Sequence, residues 1–139
     1  DGPAAATRMN KTRRLQVVIA VIERSGSFLI CRRRHGSDLA GYWEFPGGKV
    51  EPGEDERRAL QREFREEVGV EISVRPPFQK IIQHRKKQVL YFHRCRILSG
   101  KPKGLEGQEV LWMDQQQLRP KEFMPANKGI IKSLQKARL

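Results

Sequence analysis

Glu63, Glu66 and Glu67 stand at i, i+3 and i+4 in a stretch of good helix formers, so a helix brings all three carboxylates out on one face. Like charges so spaced repel one another, a cost that an ordinary surface helix dilutes with lysines. A hard divalent cation removes the repulsion, because Mg²⁺ and Mn²⁺ take oxygen ligands and share them with water and substrate phosphates. Arg62 and Arg58 lie within helical reach and can pair with Glu54 or Glu66, fixing where those carboxylates point. Before the helix, Gly47-Gly48 lets the backbone approach closely enough for a loop carbonyl to complete the coordination. The plain alternative is a solvated, charge-laced helix.

The distribution of charge bears on that choice. The 139 residues carry a net charge of +12, yet eight of the sixteen acids fall between Glu51 and Glu71 against four bases, so this window is net −4 and the remainder +16. An acidic focus in a basic protein suits a divalent cation framed by groups that attract phosphate. Length and a hydrophobic content of 37% suit one domain with one core. The longest strongly apolar run, Val17 to Ile22, falls far short of the roughly 20 residues of a spanning helix, so no membrane partner is expected. Residues 1–8 lack the basic-then-apolar layout of a signal peptide and read as a vector-derived remnant or disordered tail, leaving 9–139 as the folded domain. A monomer in the cytoplasm is the expected setting. Cys31 and Cys95 match no metal-binding spacing and read as buried, reduced thiols.

The elements that must position the carboxylates follow from periodicity. Leu15 to Glu23 is short, apolar and β-branched, a buried strand; Ser25-Gly26 turns it into a partner at Ser27 to Arg32. From Glu54 to Val68 there is no Gly or Pro, and Ala59, Leu60, Phe64 and Val68 form one apolar stripe, which predicts an amphipathic helix capped by Gly69. Strands are expected at Phe78–Gln83 and Gln88–Leu98 around the basic turn His84-Arg-Lys-Lys87, and at Val110–Met113. Asp114 caps a brief helix to Leu118, and Pro125-Ala-Asn127 opens a last helix with Ile130, Ile131 and Leu134 on one side. The class is α+β, a mixed sheet between helices.

Gly48 to Val70 satisfies the pattern G-x5-E-x7-R-E-U-x-E-E-x-G-U, with Phe64 at an aliphatic position, and so resembles the Nudix box. Trp43-Glu-Phe-Pro-Gly-Gly-Lys49, Glu106-Gly-Gln108, Trp112-Met113 and Phe123-Met-Pro-Ala-Asn127 are similar to the MutT branch of that family, the 8-oxo-dGTP diphosphatases. The resemblance implies the Nudix fold, an α/β/α sandwich around a mixed sheet. It also implies Mg²⁺-dependent (or Mn²⁺-dependent) attack of water on the β-phosphorus of a nucleoside triphosphate, releasing the monophosphate and pyrophosphate.

Carried onto this sequence, the resemblance makes Glu63 the general base and a metal contact, with Arg62 and Glu54 beside it in the catalytic set. Glu66, Glu67, the Gly47 carbonyl and Glu106 become metal ligands; the bland reading of Glu106 is a lone loop acid. Arg33 and Lys49 are candidates for contacting nucleotide or phosphate, or else solvated surface bases. Asn127 matches a purine-reading asparagine whose amide offers a donor and an acceptor to a guanine edge, or else caps the last helix. Phe45 sits against the base, or is a core aromatic. The hairpin Phe78–Phe92 departs from the branch: it is shorter, and basic residues stand where an aromatic is expected. Other nucleoside triphosphates, modified pyrimidines among them, are the alternative substrates. A non-hydrolysing nucleotide or nucleic-acid-binding module is the reading from another class, and the intact carboxylates speak against it. No stable nucleic-acid partner is expected.

Overall fold

Period-two alternation builds the centre of the molecule. The structure, a computed structural model, describes residues 14–33, 36 and 40–137, so the segment 1–8 lies outside it. Strand β1 (Leu15–Val21) sends Val18 and Ala20 to one side and Ile19 and Val21 to the other. After the short β2 (Glu23–Arg24), β3 (Ser27–Arg32) does the same with Leu29 against Phe28 and Ile30. Both strands therefore lie in a middle layer with apolar material on each face.

The rest of that layer is two sheets of four strands. In one, the order is β5 (Gly47–Lys49), β1, β7 (Gln88–Ser99) and β6 (Glu71–Gln83), with β1 and β7 parallel and the other pairs antiparallel. In the other, β3 pairs with β2, with β4 (Trp43–Glu44) and with β8 (Glu109–Asp114), all antiparallel. Helix α1 (Glu56–Glu67) covers one face through Ala59, Leu60 and Phe64. Helix α2 (Lys128–Ala137) covers the other through Ile130, Ile131 and Leu134. The α+β class, with mixed sheet between helices, is thus as expected. Among the described residues no helix is long and apolar enough to cross a membrane, and Cys31 and Cys95 are both free and buried.

Several boundaries differ from expectation for physical reasons. Helix α1 begins at Glu56, not Glu54, because the Asp55 carboxylate accepts from the Arg58 backbone N–H at 2.8 Å and caps it. It ends before Gly69, whose φ of +77° lets both Val68 and Gly69 bond back to the Phe64 carbonyl. Strand β6 starts at Glu71 instead of Phe78 and runs through Pro76-Pro77. It tolerates the prolines because it is an edge strand, and the register shifts around Val74, Pro77 and Gln79 absorb them. The brief helix after Asp114 is a 3-10 turn, Gln115–Gln117, and Pro125–Asn127 is another, preceding α2.

Two ties set α1 against the sheet. Phe64 is 1% exposed within its apolar cluster. Buried His93 on β7 has its ring nitrogens 2.7 Å from the Arg75 carbonyl and 2.7 Å from a Glu56 carboxylate oxygen, linking the first turn of the helix to the bulged part of β6. Phe64→Ala is expected to cost about 3–5 kcal/mol, the usual toll of emptying a core aromatic site. A urea titration checks this, as a lowered midpoint at an unchanged slope.

Candidate active site

The box helix is locked to the strand before it through one guanidinium. Arg62 Nε donates to Glu54 Oε2 at 2.6 Å, while Nη2 donates to Glu54 Oε1 at 3.0 Å and to the Lys49 carbonyl at 3.0 Å. Its Nη1 donates to Glu63 Oε2 at 2.8 Å and to Glu66 Oε1 at 3.4 Å. A guanidinium has five N–H groups, and every one is engaged. Glu54 also accepts from the Glu51 backbone N–H at 2.9 Å, and its hydrogen bonds from Arg62 hold its carboxyl below the ordinary range. Arg58, the other expected partner, is exposed and takes no part among the described residues.

The glycines explain how β5 comes so near. A β-carbon on Gly48 would overlap the Glu63 carboxylate, and one on Gly47 would overlap the Val18 carbonyl of β1. The strand is therefore pressed between β1 and α1, with no room for a side chain on either residue.

A loop brings the last acid to the helix. Lys103 N–H bonds the Val68 carbonyl at 3.1 Å, and Leu105 N–H bonds the Glu67 carbonyl at 2.9 Å. The Gln108 side chain donates to that same carbonyl at 2.8 Å and accepts from Glu106 N–H at 2.9 Å. Glu106 is thus held beside the end of α1. Burial, followed by the hydrogen-bonded Glu63 carboxyl and the nearby Glu106 and Glu44, pushes the Glu67 carboxyl well above the ordinary carboxylate range. Glu66 is turned toward Arg62 with 58% of its side chain exposed. Among the described residues no three acid, histidine or cysteine side chains are gathered about one point. The donor set itself, carboxylate oxygens with a backbone carbonyl at hand and no sulfur among them, suits a hard divalent cation.

These groups border a cleft of ≈ 730 Å³. Gly47, Lys49, Glu67 and Glu106 line it, as do Arg33, Phe45 and Asn127. Glu54, Arg62, Glu63 and Glu66 stand behind this lining, so the structure divides the expected site into a cleft wall and a support. Arg33 pairs with Glu44 at 3.3 Å, and burial raises the carboxyl of Glu44. Lys49 is exposed at the cleft.

Phe45 turns out to be a core aromatic, 2% exposed, with Phe28 edge-on at 6.4 Å and Phe123 at 5.9 Å. Its contribution to the cleft is its backbone: Phe45 N–H donates to Asn127 Oδ1 at 3.1 Å. That bond corrects two expectations about Asn127. The side-chain oxygen is engaged with Phe45 and not with the N-terminus of α2, and the amide no longer presents its donor and acceptor equally. Because only oxygen can accept from an N–H, the orientation of the amide is fixed, with Nδ2 left as the donor.

The NUDIX domain model matches residues 12–134. The chain belongs to the Nudix family. It is 36% identical over 118 residues to a CTP pyrophosphohydrolase of Escherichia coli K12, covering 81% of this chain and 85% of that protein. It is 33% identical over 127 residues to an 8-oxo-dGTP diphosphatase of the same organism, covering 89% and 98%. The solution structure of the E. coli ORF135 protein superposes with a TM-score of 0.75 at 32% identity, covering 93% of this chain and 94% of that one. This Nudix hydrolase carries further cleft residues that sequence reasoning passed over: Glu44, Gln83, Lys86 and Gln88. Nothing in composition or spacing marks them, since only the pairing of β6 with β7 brings the last three to the cleft.

The contact between Gly48 and Glu63 is directly testable. Gly48→Ala forces the Glu63 carboxylate aside, and misplacement of about 1 Å at such a group costs on the order of 100-fold in turnover. Steady-state rates of nucleoside triphosphate hydrolysis, with circular dichroism as the check on folding, are the measurement.

Proposed function

We propose that this chain hydrolyses 8-oxo-dGTP to 8-oxo-dGMP and pyrophosphate, by attack of water on the β-phosphorus, and so clears an oxidised nucleotide from the cytoplasmic pool. Glu63, Glu66, Glu67, Glu106 and the Gly47 carbonyl would hold Mg²⁺, or Mn²⁺ in its place. The bound cation supplies neutralisation of the phosphate charge that develops during transfer. Glu63 takes the proton of the attacking water: its side chain is 12% exposed and is held on one side by Arg62. Arg62 and Glu54 are positioning residues that keep this carboxylate where it is. Arg33, braced by Glu44, and Lys49 contact the phosphates of the substrate.

The observation that carries the substrate reading is the fixed amide of Asn127. Its Nδ2 donor, in a cleft wall and 3% exposed as a residue, rewards a base that presents a keto oxygen such as O6 of guanine. Cytosine offers an amino group at the corresponding edge and would set donor against donor, leaving buried polar groups unpaired. The second reading, a pyrimidine triphosphate, is favoured by the similarity to a CTP pyrophosphohydrolase.

Pyrophosphate release from 8-oxo-dGTP, dGTP and dCTP, measured side by side with Mg²⁺ and then with EDTA, separates the two. Expected is cleavage led by 8-oxo-dGTP and abolished by EDTA; a lead by dCTP overturns the substrate reading. Glu63→Gln is expected to lower turnover about 100- to 10,000-fold with nucleotide binding retained, and a fall below about tenfold removes Glu63 from the role of base. Asn127→Asp keeps an acceptor for Phe45 N–H but replaces the donor. It is expected to lower kcat/KM for both guanine nucleotides at least about tenfold while sparing dCTP.

A further inference from the structure

The floor of the cleft ends in polar side chains that have no structural task. Across the mixed sheet, Lys49 lies beside Val17, Val17 beside Leu90, and Leu90 beside Ile81. Two residues further along the same face, Gln88 follows Leu90 and Gln83 precedes the turn after Ile81, and the two glutamines are directly paired. The apolar strip of Val17, Leu90 and Ile81 therefore gives way to two amides. Both are half-buried, both line the cleft, and neither side chain hydrogen-bonds to any described residue. Lys86 reaches the same cleft from the turn, without an ion pair among the described residues. The turn is held in place: Lys87 N–H bonds the His84 carbonyl at 3.1 Å, and Leu15 N–H bonds the Lys87 carbonyl at 2.8 Å.

These residues sit on the strands far from the carboxylates. Glu63 packs on β5, and Gln83 belongs to β6 at the opposite edge of the sheet, three strand spacings or about 14 Å away. A nucleotide with its phosphates beside the box therefore directs its base toward the hairpin. We infer that Gln83, Lys86 and Gln88 read the oxidised edge of the base and are the residues that separate an 8-oxopurine from its parent.

The chemistry of the three groups selects that edge. Beyond O6, the Watson–Crick side of guanine carries only donors, N1–H and N2–H₂, which an ammonium rejects. The five-membered-ring edge of 8-oxoguanine presents one donor, N7–H, and one acceptor, the C8 oxygen. A glutamine carbonyl matches the first, and Lys86 or a glutamine N–H matches the second. In guanine the same edge is an acceptor and a C–H, so the glutamine carbonyl meets another acceptor and the cation loses its oxygen. Discrimination then comes from polar groups left unpaired by the wrong base.

This inference rests on the proposed substrate, and the test keeps the two apart. Binding of 8-oxo-dGMP and dGMP, the monophosphate products, is measured by calorimetry without metal for the wild type, Lys86→Met, Gln83→Leu and Gln88→Leu. All three variants lie at an exposed hairpin end, and thermal melts confirm that they fold. Expected is a wild-type preference for 8-oxo-dGMP that falls about tenfold in Lys86→Met and in at least one glutamine variant, about the worth of one polar contact, with dGMP affinity nearly unchanged. If the preference survives in all three variants, the hairpin does not read the base and the inference is wrong. An equal loss for both nucleotides also overturns it, because Lys86 is then acting on the shared phosphate. If the wild type itself shows no preference, the substrate reading fails, and the inference fails with it.

Discussion

Five acceptors on four different residues converge on the guanidinium of Arg62, and the positions of the other catalytic candidates follow from that saturation. The bonds to Glu54 tie the helix to the loop before it, the bond to the Lys49 carbonyl ties it to β5, and those to Glu63 and Glu66 set two carboxylates. A lysine has three donors on one atom and cannot reproduce this planar fork. Three carboxylates around one guanidinium leave a net negative charge, and Glu67 and Glu106 add to it from the cleft side. The arrangement thus binds its own side chains firmly while remaining electrostatically incomplete, the condition in which a divalent cation completes a site.

The opposite wall uses a related device. Asn127 engages its oxygen with the fold, through Phe45 N–H, and this fixes its nitrogen as the group offered to a ligand. Phe45 can make that bond because its ring is anchored between Phe28 and Phe123. The aromatic core and the polar reader are consequently one unit: a shift in the packing of Phe45 moves the amide. Gln83 and Gln88 differ from Asn127 in having neither half of the amide engaged with the described protein, so their orientation answers to whatever occupies the cleft.

What was legible in the sequence was what short-range periodicity specifies. The stripe Ala59, Leu60, Phe64 and Val68, interleaved with Glu63, Glu66 and Glu67, announces a helix with an apolar face and an acidic face, and the fold uses it so. The alternation in β1 was equally plain. Strand β6 was half hidden, because Pro76-Pro77 reads as a strand breaker unless one knows that the strand lies at a sheet edge, which is a tertiary fact. For the same reason Asn127 was recognisable as a candidate but its orientation was not: the partner is a backbone N–H 82 residues away in sequence. Glu44 and Gln108 were invisible as site residues, since each acts through a contact made only when distant segments meet.

The net charge acquires a meaning once the cleft is known. A box of carboxylates attracts a cation but repels a triphosphate, so an enzyme that needs both must place opposite fields side by side. Here Arg32, Arg33, Lys49 and Lys86 line the cleft whose acids are Glu44, Glu67 and Glu106. Arg33 neutralises Glu44 directly, which leaves Lys49 and Lys86 toward opposite edges of the sheet with the two remaining acids near the former. Basic groups distributed in this way draw the anionic substrate along the cleft, and the acidic end, once it holds its cation, ceases to oppose the phosphates. The excess of lysine and arginine is then part of how the nucleotide is admitted and oriented, without any need for a nucleic-acid partner to explain it.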